Sequence, residues 1–158
     1  MSISEIMLAA SRGDAVAIRH LVSLGADVNA ESQDGMTPLL WGIQKRRIEV
    51  VRLLIELGAN TNFVASNGTP LIFFAITSGG EDIALAVVEG GVDVNARDID
   101  GMTPLMHACM GDERLVPALL SRGAQVGAVD EEGNDALFWA RKAGQPILDM
   151  VLRAIDCQ

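Results

Sequence analysis

Tyrosine is missing from this sequence, and aromatic residues of any kind make up only 4% of it. A core resting on stacked rings is therefore excluded. With 49% of the chain hydrophobic, the interior must be assembled from Leu, Ile, Val, Ala and Met. Cysteine is scarce too: Cys109 and Cys157 are the two present, too few for a disulfide framework, and they fit a reducing compartment with free thiols. Positive charge is in short supply, with 12 Lys and Arg against 21 Asp and Glu, a formal net charge of −9. That balance argues against nucleic acid, whose phosphates attract cations. It favours solubility and a basic partner. The N-terminal MSISEIMLAASRGD has no basic segment ahead of a long apolar run, so no secretory signal is expected. The uncharged stretch Phe63–Gly80 is broken by Ser66, Asn67, Thr69 and Pro70 and does not read as a membrane span. These absences point to a soluble cytoplasmic protein, and 158 residues fit one domain covering 1–158.

What the chain has in abundance is self-similarity. GADVNA (Gly25–Ala30), GANTNF (Gly58–Phe63), GVDVNA (Gly91–Ala96) and GAQVGA (Gly123–Ala128) start 33, 33 and 32 residues apart. A second motif interleaves: DGMTPL at Asp34–Leu39, NGTPL at Asn67–Leu71, DGMTPL at Asp100–Leu105 and EGNDAL at Glu132–Leu137. Two independent motifs sharing a period of this size indicate stacked supersecondary units.

Each motif has a local reason for its place. In Thr37-Pro38-Leu39, the Thr can cap a helix by accepting a free backbone N–H, and Pro38 fits the first helical position. Thr69-Pro70 and Thr103-Pro104 repeat this; Asp135-Ala136 keeps the cap without the Pro, and Ser4-Glu5 does the same job at the start. A break follows each short helix, at Arg12-Gly13-Asp14, Lys45-Arg46-Arg47, Ser78-Gly79-Gly80, Gly111-Asp112 and Ala143-Gly144. A second helix then carries apolar residues at helical spacing, as in Ile48, Val51, Leu54 and Ile55. The Gly of GADVNA ends it, and the following Asp-Val-Asn and Asp-Gly predict a projecting β-hairpin.

The TPL start, the internal Gly-Asp break and the GADVNA segment together resemble the ankyrin repeat, across residues 2 to 155. The resemblance implies an all-α solenoid of five stacked helix-turn-helix units with four projecting β-hairpin fingers. Helices are expected within 4–24, 37–57, 69–90, 103–122 and 135–155, and units at about 1–30, 31–63, 64–96, 97–128 and 129–158. The first and last units look like end caps. There are departures. The family has His after TPL; here Leu40, Ile72, Met106 and Phe138 stand there, so apolar packing is expected to replace its hydrogen bonds. The unit at 69–90 lacks a residue between Gly68 and Thr69 and gains one before Gly79-Gly80, and Pro117 predicts irregularity in the second helix of 103–122.

No catalytic constellation is visible. His20 and His107 lie on different units, His107 and Cys109 point to different helix faces, and no HExxH, CxxC, P-loop or GxGxxG occurs. Neither a metal, a cofactor nor enzymatic activity is expected. The finger segments 25–35, 58–68, 91–101 and 123–133 hold nine acids and one base, Arg97, leaving −8 of the chain's −9 in 44 residues. Asp is good turn chemistry, yet no turn requires the run Asp130-Glu131-Glu132. The second finger is uncharged and has Phe63-Val64 where the others have Ala-Glu, Ala-Arg and Ala-Val. Met36 and Met102 stand at finger bases and Ile99 near a tip. Trp41, Phe73, His107 and Trp139 form a bulky stripe along the first helices; such rings are more often core, but an exposed Trp can anchor a partner. Lys45-Arg46-Arg47 reads as a solvated basic turn away from the fingers. Asn29, Asn62 and Asn95 recur in the fingers and suggest a structural role.

The expected function is a monomeric, non-catalytic module that binds another protein, with a basic surface, as adaptor, inhibitor or immunity-type neutraliser. The contact residues would be Asp34, Met36, Trp41, Phe63, Val64, Ile99, Asp100, Met102, His107, Glu131, Glu132 and Trp139. Two alternatives stay open: a self-associating structural protein using Phe63, Val64 and Ile99, or an enzyme-like factor with a pocket near His107 and Trp139.

Overall fold

The structure is a computed structural model and describes residues 4–156. Cys157 lies outside the described residues. The helices follow one another in pairs: α1 (Glu5–Arg12) and α2 (Ala15–Ser23), α3 (Pro38–Gln44) and α4 (Ile48–Glu56), α5 (Leu71–Phe74) and α6 (Glu81–Glu89), α7 (Pro104–Ala108) and α8 (Leu115–Ser121), α9 (Ala136–Ala143) and α10 (Gln145–Asp156). A π-helical turn, Ala75–Gly79, extends α5. Among the described residues there is no β-strand. The expected hairpins are loops that carry only isolated antiparallel bridges, Val64 with Pro70 and Val129 with Asp135.

The pairs pack in two layers. The first helices contact one another in sequence (α1 with α3, α3 with α5, α7 with α9), and so do the second (α2 with α4, α4 with α6, α6 with α8, α8 with α10). Aliphatic side chains hold the layers together. In α4, Val50, Val51, Leu53 and Leu54 are buried on one side while Glu49, Arg52 and Glu56 face water. Each such burial contributes roughly 1.5–3 kcal/mol. No helix among the described residues is long and apolar enough to cross a membrane.

Of the five first-helix caps expected from the sequence, three form and two do not. The Thr37 hydroxyl accepts the N–H of Leu40 at 3.2 Å, Thr103 that of Met106 at 3.4 Å, and the Asp135 carboxylate that of Phe138 at 2.8 Å. Ser4 makes no cap bond; its buried hydroxyl has no partner among the described residues. Thr69 does not cap α5 either. With one residue fewer after Gly68, the helix starts two residues beyond it, after Pro70, and the Thr69 N–H is held instead by Asn67 Oδ1 at 3.1 Å. The extra residue of that unit is absorbed in the π-helical turn, whose i→i+5 pattern takes one more residue than an α turn. There the Thr77 hydroxyl donates to Phe73 O at 2.7 Å. Gly79 is buried in this turn, and a Cβ on it would stand 2.7 Å from Ile83 Cγ2.

The residues that replace the family His are buried at Leu40, Ile72 and Met106. Phe138 departs from the expectation: it is exposed, with Lys142 Nζ 4.3 Å above its ring. Asp112 Oδ1 accepts the N–H of Leu115 at 2.9 Å, and α8 is regular only from Leu115, so Pro117 stands in its first turn. α8 has seven residues where α2, α4 and α6 have nine, which is the irregularity expected there.

Candidate functional site: the loop tips

One turn recurs in all four loops between helix pairs. Its first residue donates its N–H to the carbonyl four residues on and accepts the N–H of the residue three on. In Ser32–Met36 the two bonds are both 2.9 Å; the same pair closes Ala65–Thr69, Asp98–Met102 and Asp130–Asn134. The fourth residue is Gly35, Gly68, Gly101 or Gly133, each at positive φ between 71° and 83°, a backbone that glycine adopts at little cost. The second and third residues are thereby pushed outward. They are Gln33-Asp34, Ser66-Asn67, Ile99-Asp100 and Glu131-Glu132, all exposed. Ile99 is 87% exposed. None of Asp34, Asp100, Glu131 and Glu132 is in an ion pair among the described residues.

An asparagine ladder fixes the loops to one another. Asn29 Oδ1 accepts the N–H of Asn60 at 2.7 Å, Asn62 Oδ1 that of Asp93 at 2.7 Å, and Asn95 Oδ1 that of Gln125 at 2.8 Å. Asn29 and Asn95 also donate to the carbonyls of Gly58 and Gly123. The expected structural role of these asparagines is what the geometry shows. Further out, the Arg97 guanidinium donates to Gly101 O at 2.8 Å and Val129 O at 2.6 Å, and the Glu131 N–H donates to Asp100 O at 3.1 Å. Two neighbouring tips are thus tied together.

A second set of bonds ties loops to helices. Asp98 Oδ2 lies 2.6 Å from His107 Nε2, nine residues later, and Asp130 Oδ2 accepts the indole N–H of Trp139 at 3.2 Å, again nine residues later. Asp130 is buried. Burial alone would raise its carboxyl, but hydrogen bonds from the Asn134 N–H and amide, the Trp139 indole and the Glu132 N–H outweigh it and hold it below the usual carboxylate range. This corrects one expectation: Asp130 is required by its turn, and only Glu131 and Glu132 face outward.

The remaining expected contact residues divide. Val64 is 53% exposed, whereas Phe63 is 9% exposed and packed in the core. Phe63 is therefore corrected from a contact residue to a support under its loop. Met36, Met102, Trp41, His107 and Trp139 are half-buried. His107 Nε2 is engaged with Asp98, its ring meets Phe73 edge-on at 5.2 Å, and Trp139 meets Phe138 the same way at 5.4 Å. Trp41 differs. Ser32 occupies the loop position held elsewhere by Asp98 and Asp130, its hydroxyl accepts the Met36 N–H at 3.1 Å, and the Trp41 indole N–H has no partner among the described residues. Beside Val64 a cavity of about 330 Å³ opens between the second and third loops, lined also by Pro70, Val92, Ala96 and Arg97. No group of three or more His, Cys, Asp or Glu side chains is arranged for a metal among the described residues.

The family model for ankyrin repeats (3 copies) matches residues 6–98 and again 91–158. The chain belongs to the ankyrin-repeat family. Its similarity to SH3 and multiple ankyrin repeat domains protein 2 of Homo sapiens is 32% identity over 135 residues, 84% of this chain and 7% of that protein. To the palmitoyltransferase AKR1 of Lachancea kluyveri it is 29% identical over 134 residues, covering 81% and 18%. To neurogenic locus notch homolog protein 1 of Xenopus laevis it is 29% identical over 126 residues, covering 78% and 5%. This ankyrin-repeat chain thus spans less than a fifth of the length of each. Ankyrin repeats generally serve as protein-interaction modules.

Asp98 and Asp130 are the residues that sequence reasoning misjudged, by counting them with the outward charge. The signal that separates them is the nine-residue spacing to a ring with an N–H.

Proposed function

We propose that this chain is a non-catalytic binding module of five ankyrin units. Its four projecting loops and the concave face of its first helices hold a partner protein with a basic surface. It acts as an adaptor, an inhibitor or a neutraliser of that partner. One observation carries the reading. The outermost positions of three tip turns present Asp34, Asp100, Glu131 and Glu132 with no internal cation, and Ile99 stands 87% exposed among them. Carboxylates left unpaired at such a rim raise the encounter rate with a basic surface and fix register more than they add affinity. Exposed apolar groups, Ile99 and Val64, supply the desolvated contact that charge does not. The ladder of asparagine bonds keeps the tips in place before binding, which lowers the ordering cost of association.

The experiment is a charge reversal at Asp34, Asp100, Glu131 and Glu132 to Lys. All four side chains are exposed, and the one intramolecular bond among them is that of the exposed Glu132 carboxylate, which accepts the Asn134 amide at 3.3 Å, so the variant should keep its circular dichroism and most of its melting temperature. Binding to a basic partner captured by the wild type should fall by at least about tenfold at low salt, since each rim charge acts mainly through association rate. Unchanged affinity removes the acidic tips from the reading, and capture by Ile99→Asp equal to wild type removes the apolar contact.

A further inference from the structure

At the end of α3 opposite the loop tips, the turn to α4 breaks two rules that the same turn obeys in the first helix pair. There the turn reads Arg12-Gly13-Asp14. Gly13 takes a φ of +84°, and the Asp14 carboxylate accepts the N–H of Ala17 at 2.9 Å. In the second pair it reads Lys45-Arg46-Arg47. Arg46 is held at φ +55°, the sole non-glycine residue at positive φ among the described residues, and Arg47 stands where Asp14 caps. Two arginines have thus replaced the residues local chemistry favours.

Both arginines are positioned through one nitrogen. Arg46 Nε donates to Ser78 O at 3.1 Å, and Arg47 Nε donates to Ser11 O at 3.2 Å. The terminal guanidinium nitrogens make no ion pair among the described residues, and neither does Arg12. All three line one cavity of about 260 Å³, with Gly13, Ile48 and Glu49. Guanidinium forks match the oxygens of a tetrahedral oxyanion and bind it bidentately, and those of Arg46 and Arg47 are each anchored through Nε. A concave site suits a compact dianion on a projecting side chain. Glu49 also lines the cavity and opposes an anion there, but three guanidinium groups outnumber it.

We propose that the Arg12–Arg46–Arg47 cavity binds a phosphomonoester dianion carried on a side chain of a partner protein. This stands independently of the acidic tips, which lie at the other end of the helices.

The test uses the whole chain at pH 8 and constant ionic strength. The probes are a neutral-sequence peptide bearing one phosphoserine, its unphosphorylated form, phenyl phosphate, and phosphatidylserine vesicles. Amide shifts of Gly13 and residues 46–50 should saturate with the phosphopeptide and phenyl phosphate and not move with the unphosphorylated peptide. Arg46→Gly should weaken binding at least about tenfold in a chain that stays folded by circular dichroism, since glycine suits that backbone and offsets the lost bonds from Nε to Ser78 O and Gly79 O. Arg46→Gly with Arg47→Asp should abolish it in a chain whose circular dichroism is unchanged. Arg47→Lys, which keeps the charge but not the fork, should also weaken it. Equal response to both peptides, retention of binding by the double variant or by Arg47→Lys, or binding to vesicles alone overturns the proposal.

Discussion

The Asp130 carboxylate receives the indole N–H of Trp139 at 3.2 Å while its other oxygen accepts the backbone N–H groups of Glu132 and Asn134 at 3.0 and 2.8 Å. One buried acid therefore closes a tip turn and anchors it to α9. Its carboxyl is held below the usual range by those bonds against the opposing effect of burial. An acid with a depressed folded pKa contributes stability that is present above its unfolded value and is lost as pH falls through the folded value. The Trp139 environment is expected to change only when pH drops below the ordinary carboxylate range. Trp139 fluorescence, read in a Trp41→Phe background, should show that acid step, and Asp130→Ala should remove the step and lower the melting temperature at pH 7.

Trp41 has the same place in α3, nine residues after Ser32, and its indole N–H has no partner among the described residues. Ser32→Asp would supply one in the geometry already built at Asp130 and Trp139. A stabilisation of about 1 kcal/mol is expected, the net worth of one hydrogen bond. Chemical denaturation measures it, and Ser32→Asp made with Trp41→Phe should show no gain.

Gly79 allows the π-helical turn to lie against α6. Its substitution by Ala would put a Cβ 2.7 Å from Ile83 Cγ2 and 3.3 Å from Ile43 Cγ2. Overpacking of this kind costs roughly 1–3 kcal/mol. Ile83→Ala, which removes that Cγ2, should cost less in the Gly79→Ala background than in the wild type, as thermal melts of the four chains would report.

Cys109 is fully buried, and burial pushes its thiol up to about 12 from an ordinary value of 9.0. A group held protonated in the folded chain contributes stability fully present below pH 9 and lost as pH rises toward 12. In a Cys157→Ser background the remaining thiol should resist a thiol reagent at pH 8 until denaturant is added. Cys109→Ala should flatten the alkaline fall in stability. Rapid labelling of the native chain would contradict this account.

Sequence legibility tracked the range of the interaction. Thr37, Thr103 and Asp135 were readable as caps because their partners are three residues away. The motif period revealed the ankyrin family before any contact was known. Thr69 was misjudged because one absent residue moved the start of α5 beyond it. Asp130 could not be separated from Glu131 and Glu132 by composition, since its burial depends on a ring nine residues downstream. Phe63 could be read either as packing under the adjacent loop or as a contact residue, and neighbouring units bury it. The positive φ of Arg46 follows from the turn as a whole and leaves no mark on a charge run.

The third helix pair loses one residue from the loop before α5 and regains one in the π-helical turn, so GANTNF and GVDVNA still start 33 residues apart. Slack in one segment is taken up by a neighbouring one, and the next motif keeps its phase. A lineage of such chains can therefore reshape a single loop without re-indexing the modules stacked behind it.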